Sequence, residues 1–284
     1  MGVFLRCFCL IFLIILGTGL PAYADDPTFE KLRVDLLTGQ AAVANRAGKS
    51  VCFLLLGADR GLQEVAAIAA IDAFERDILS LRDGDEDRGL PPESNAEAAI
   101  LLTNLAKVSR PVTRSARQIV AGDLHRVPMR LFVDGLPQIE TQVNAVVSTS
   151  LGQHGADGTV GPTILAVQEL GAIAQAALRD ACFLRVGLLS SAGTVRLRDA
   201  IARFKTNMAA LQNGDASRSI PATNDLKISV TLKKVARYWE KVAAVVQATL
   251  DADDVTVKDL QKASIMADLL EKSLDKVRTY YWAL

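Results

Sequence analysis

Residues that carry catalysis and metal binding are scarce in this chain. It has two histidines and two tryptophans in 284 residues, and aromatics make up only 5%. His125 and His154 stand beside loop-forming residues, with no clustered cysteine and no HxxxH spacing, so no metal-ligand set is expected. No G-x-S-x-G, P-loop or Rossmann glycine pattern occurs, and no serine, histidine and aspartate share a supporting spacing. The acidic turn Asp83, Asp85, Glu86, Asp87 has Arg88 where a calcium loop needs its sharp-turn glycine and Ser94 where it needs the closing glutamate. A non-catalytic protein with no cofactor and no metal is therefore expected. Excess charge of either sign is missing too, at 32 basic and 32 acidic residues, which argues against nucleic acid or a polybasic membrane contact. Strand signals are nearly absent, with no sustained alternation of apolar and polar residues.

Long apolar runs are also missing, except at the N-terminus. Arg6 precedes an apolar core over residues 7–16, and Ala22-Tyr23-Ala24 supplies a small-x-small pattern. Residues 1–24 read as a signal peptide cleaved near Ala24-Asp25. The run is short for a membrane span and broken by Gly17, Gly19 and Pro21. No later stretch reaches the roughly 18 apolar residues a span needs. The mature chain, with a net charge of −1 once Arg6 is removed, is expected in a bacterial periplasm without a membrane span. Of the four cysteines, Cys7 and Cys9 leave with the leader, and Cys52 and Cys182 remain. In an oxidising compartment these two could form one bridge. Each could equally be a small buried apolar residue on its own helix, since bridging needs Cα atoms within about 7 Å.

What the chain does contain is a repeat. Residues 52–85 and 182–215 align without a gap and agree at 11 of 34 positions, where chance gives roughly two. Ile71, Phe74, Ile78 and Leu81 match Ile201, Phe204, Met208 and Leu211, in steps of three, four and three. That spacing places a stripe of side chains toward neighbouring helices of a bundle. Gly84 and Gly214 then stop each helix. The register continues through Leu102, Leu105 and Val112 against Leu232, Val235 and Val242, with Pro91-Pro92 and Pro221 in the preceding loops as expected helix starters. Shifted by one residue, Ile139, Val143 and Val146 match Leu270, Leu274 and Val277 in a fourth helix, which Pro128 and Pro137 should shorten or kink in the first copy. Long first helices are expected at about 28–57 and 162–187. The fold expected is all-α, two tandem antiparallel four-helix bundles formed by internal duplication: the first over residues 25–151, a glycine-rich linker over 152–161, the second over 162–284.

The run LTGQAAVANRAGKSVCF over residues 37–53 resembles the first helix of the sensory domain of type IV pilus methyl-accepting chemotaxis transducers. The same domain type occurs in nitrate and nitrite sensor kinases. That helix carries a run like AGRQRMLSQRMAKAACF, followed by a helix with a central Phe and a Gly-Asp turn. This chain keeps Gln40, Arg46, Lys49, Cys52-Phe53, Phe74 and Gly84-Asp85. The second copy keeps Gln175, Arg179 in place of the lysine, Cys182-Phe183, Phe204 and Gly214-Asp215. Trp239 sits in the third helix, as a tryptophan does in many members. The resemblance implies a sensory or ligand-binding module that acts with a separate membrane-bound signalling protein. Members pair two bundles about a two-fold axis, so two copies in one chain imply an internal pseudo-dimer and a monomer in solution. The arginine by which nitrate-binding members hold their anion is replaced by Ala41 and Gly171, neither of which carries a side-chain charge. Candidate ligand-binding residues are then Gln40, Arg46, Lys49, Gln175 and Arg179. The alternative is a structural or interaction scaffold whose ligand site has decayed. The C-terminal Tyr280-Tyr281-Trp282 is expected to close a bundle end.

Overall fold

A computed structural model describes residues 27–151 and 160–284. Within them the chain is all-α, with eight α-helices and no strand: α1 (Pro27–Leu55), α2 (Arg60–Asp83), α3 (Ala96–Val120), α4 (Arg126–Leu151), α5 (Val160–Arg185), α6 (Ser191–Asn213), α7 (Leu226–Leu250) and α8 (Val257–Tyr281). The expected leader and linker positions 152–159, including His154, lie outside the described residues. Helix α5 starts at Val160, two residues ahead of the expected second bundle. None of the described helices is long and apolar enough to cross a membrane.

The buried positions of α3 are Thr113, Ser115 and, in a stripe of seven, Ala98, Leu102, Leu105, Ser109, Val112, Ala116 and Ile119. Those of α7 are Ile228, Leu232, Val235, Trp239, Val242, Val246 and Thr249, the same seven positions 130 residues on. Steps of four and three keep one face of each helix against its neighbours. Each large buried Leu, Ile, Val or Phe contributes about 1.5–3 kcal/mol by leaving water. Where the first bundle has Ser109, its α4 supplies Phe132 and Leu136. Where the second has Trp239, its α8 supplies Ala263 and Ala267. Trp239 fills that space by stacking on Phe204, with ring centroids 4.0 Å apart. The two cores thus place their large and small side chains on different helices.

Helices α2 and α6 end at Gly84 (φ +87°) and Gly214 (φ +83°), where a left-handed backbone favours glycine. Each is followed by a short 3₁₀ turn, Glu86–Arg88 and Ala216–Arg218, closed by the isolated bridges Asp85↔Leu90 and Asp215↔Ile220. In the acidic turn, Asp85 is taken up by Arg88 (2.7 Å) and Ser80 (2.9 Å). Helices α3 and α7 start on the side-chain caps of Asn95 and Asp225, with the prolines in the loop upstream. The cap, not the fixed φ of proline, satisfies the first N–H groups. Helix α4 runs 26 residues against 25 for α8, so Pro137 inside it does not shorten it.

Helices α1 to α4 pack together, as do α5 to α8, and α1 lies along α5 between the two sets. Asn45 meets Ala172 and, farther along both helices, Cys52 meets Cys182, so α1 and α5 run parallel. Each first helix also reaches the last helix of the other bundle. Asp35 of α1 takes Arg278 (3.2 Å) and the Trp282 indole N–H (3.2 Å), and Phe132 of α4 meets Phe183 of α5 edge-on at 6.3 Å. One apolar cluster is continuous through both bundles.

Candidate functional site

A row of buried polar residues runs along the contact between α1 and α5. Asn45, Lys49, Gln175, Arg179 and Asp180 are all no more than 5% exposed. Asn45 sits at its middle: its side-chain amide donates to the Ala172 carbonyl (3.3 Å), and its carbonyl oxygen accepts from Arg179. Gly171, next to Ala172, faces α8 instead, where a Cβ would lie 3.6 Å from Leu274 Cδ1. Three residues beyond Lys49 and Arg179, about 4.5 Å along the helix, Cys52 and Cys182 are joined in a disulfide with Cα atoms 6.1 Å apart.

Lys49 and Arg179 occupy equivalent repeat positions, and each pairs across to the other bundle. Lys49 Nζ donates to Asp268 of α8 (2.7 Å), and Arg179 donates to Glu140 of α4 as well as to its neighbour Asp180 (2.7 Å). Burial by itself lowers the Arg179 pKa, but the charges of Asp180 and Glu140 outweigh it and raise it above the usual arginine value. Gln175 donates to Glu271 (2.8 Å) and Asp268 (3.2 Å). Arg46 stands at the rim, 43% exposed, with its guanidinium 3.7 Å from Glu271. Burial pushes the Glu271 carboxyl up from its ordinary value, and Arg46 and Gln175 pull against that shift. The seam thus holds three cations, Arg46, Lys49 and Arg179, against four carboxylates, Glu140, Asp180, Asp268 and Glu271.

Of the five expected ligand-binding residues, four meet here. Gln40 stands apart, its amide donating to the Leu36 carbonyl one turn back on its own helix (2.9 Å). Asn45 and the four carboxylates were missed by sequence reasoning. Asp180 was adjacent to Arg179 in sequence, and Asp268 and Glu271 share a helix face at a spacing of three, which are the signals that were available. Gly48 was missed as well. A Cβ there would lie 2.7 Å from Arg179 Cδ, so the missing side chain makes room for the arginine to cross α1.

Each cation of the seam is already paired, and the carboxylates outnumber the cations by one. An anion entering the seam must displace a carboxylate: Asp268, 49% exposed, can turn to water when Lys49 is taken, whereas Asp180 beside Arg179 would be left buried with no cation. No protein-family model, curated protein or solved structure matches the chain.

Proposed function

We propose that this protein is an exported, non-catalytic interaction scaffold of the periplasm. In this reading it is an intramolecular counterpart of the paired sensor domains of pilus chemotaxis transducers, and it offers a fixed helical body to a membrane-bound partner. The observation that carries it is the internal pairing of Lys49 with Asp268 and of Arg179 with Glu140 and Asp180. Basic side chains already paired with carboxylates, one of them the buried Asp180, are poor receptors for a small anion. The disulfide between α1 and α5 supports export, because such bonds persist in oxidising compartments. It also supports a fixed body, since it opposes sliding of the two central helices.

One observation favours a second reading, a sensor for a small polar ligand at the rim. Arg46 Nε and Gln175 Oε1 are buried with no hydrogen-bond partner among the described residues. A ligand that satisfied both would be held beside Glu271.

A thermal-shift titration with nitrate, nitrite, sulfate and small carboxylates separates the two. The scaffold reading expects melting temperatures that follow ionic strength alone. A saturable rise for one ligand that disappears in Arg46→Ala would overturn it in favour of sensing. Mass in solution tests the internal pairing: a monomer is expected, and an obligate homodimer counts against it.

A further inference from the structure

The two bundles differ in chemistry at the end where the first and last helices meet the loop before the third. In the first bundle Arg33 of α1 is buried there. Its guanidinium donates to the Leu81 carbonyl (3.0 Å), to the Pro91 carbonyl and to the Glu93 carboxylate (2.9 Å). The equivalent positions in the second bundle, 130 residues on, are Thr163 for Arg33, Leu211 for Leu81, Pro221 for Pro91 and Thr223 for Glu93. The second bundle has a cavity of about 120 Å³ here, lined by Thr163, Pro221, Thr223, Asp225 and Tyr281 among others. That is room for several waters, and so for the four heavy atoms of a guanidinium group.

The polarity of the lining favours a donor. Thr223 Oγ1 donates to the Leu211 carbonyl (2.6 Å), so its proton is committed. The bond between Thr223 and Tyr281 must then use the tyrosine proton, which leaves the Tyr281 oxygen an acceptor. Asp225 spends one carboxylate oxygen on the Ile228 N–H (2.9 Å) as the cap of α7, and its charge is felt at Tyr281. Pro221 has no N–H and offers a carbonyl, at the position whose counterpart already accepts from Arg33. Alongside the apolar Ala222, Ile228 and Leu284, acceptors and one carboxylate line a space that in the other bundle contains a guanidinium.

We propose that this cavity is a binding site for a guanidinium-type organic cation, which takes in the second bundle the place Arg33 fills in the first. The ligand would be either a small free guanidine compound or the arginine side chain of a partner protein. The proposal rests on the pocket and is independent of what the seam between α1 and α5 does.

Calorimetric titration of the full mature chain tests it, with methylguanidinium and a short arginine-containing peptide as probes and tetramethylammonium at equal ionic strength as control. Saturable one-to-one binding of at least one guanidinium probe is expected, with none for the control. Methylguanidinium binding as tightly as the peptide identifies a small-molecule site, and a peptide at least tenfold tighter identifies a partner arginine. Asp225→Asn retains a capping side chain, as Asn95 does in the first bundle, and should weaken binding about tenfold or more. The double change Thr163→Arg with Thr223→Glu copies the Arg33–Glu93 pair and should abolish binding. No saturable binding of either probe, or binding that survives Asp225→Asn at full strength, overturns the proposal.

Discussion

Arg179 of the second bundle lies across Gly48 of the first so closely that a methyl group there would stand 2.7 Å from Arg179 Cδ and 2.9 Å from Leu136 Cδ1. Two effects compete at this position. Alanine gains about 1 kcal/mol of helix propensity over glycine, while overpacking against a buried arginine bonded through Nε and Nη1 costs about 1–3 kcal/mol. Arg179 is held by Asn45, Glu140 and Asp180 and cannot retreat cheaply. Gly48→Ala should therefore lower the urea midpoint. A rise would mean that Arg179 moves aside without cost.

The seam is asymmetric in how much each cation matters. Arg179→Met would leave Asp180 and Glu140 without their buried partner and should cost about 3–5 kcal/mol. Lys49→Met removes a pair whose carboxylate, Asp268, is 49% exposed and can return to water. Its expected cost is about 1 kcal/mol or less. Urea unfolding of both variants checks the order, and equal losses would contradict the account of the seam.

The disulfide closes a loop spanning 130 positions of sequence. Loop-closure entropy puts its stabilisation on the order of 5 kcal/mol. Replacing Cys52 and Cys182 together by serine should lower the melting temperature by roughly 5–15 °C while circular dichroism stays helical, because each bundle retains its own core. Mass spectrometry of the unreduced protein should find it lighter than the reduced chain by two hydrogens.

Glu271 gives a pH signature. Its folded-state pKa is raised by burial, against the pull of Arg46 and Gln175, so the folded protein takes up this proton more readily than the unfolded chain. The group therefore contributes stability as pH falls through the raised folded value toward the unfolded one. Asp85 and Asp215 act in the opposite sense. Side-chain bonds from Arg88 and Ser217 hold their carboxyls low, and that stability is lost only at more acid pH. Glu271→Gln keeps an acceptor for Gln175 and removes the titration. Its stability at pH 5 relative to pH 7 should be lower than the wild type's by the same comparison. Parallel pH profiles for the two proteins would show that Glu271 does not titrate in this range.

Helix class, helix number and the repeat were legible in the sequence because stripes such as Ile71, Phe74, Ile78 and Leu81 depend only on spacing along one helix. The site was half legible. Arg46, Lys49, Gln175 and Arg179 could be read from the first helix of each copy, but apart from Asp180 the carboxylates that hold them belong to α4 and α8, and for Arg46, Lys49 and Arg179 to the opposite bundle. Spacing within a helix says nothing about which helix lies across from it. For the same reason the pairing of Cys52 with Cys182 stayed open. Gln40 lies apart from the seam, its amide N–H bonded to its own helix and its carbonyl oxygen buried with no partner among the described residues. The pocket beside Tyr281 becomes visible only when Thr163 is set against Arg33.

Separate subunits that pair through a surface fall apart as they become dilute, and their folded lifetime then depends on how many copies are nearby. Here Cys52 and Cys182 tie the two surfaces within one polypeptide, so the partner's effective concentration is set by the chain and not by expression level. A single molecule released far from its siblings keeps its double-bundle form.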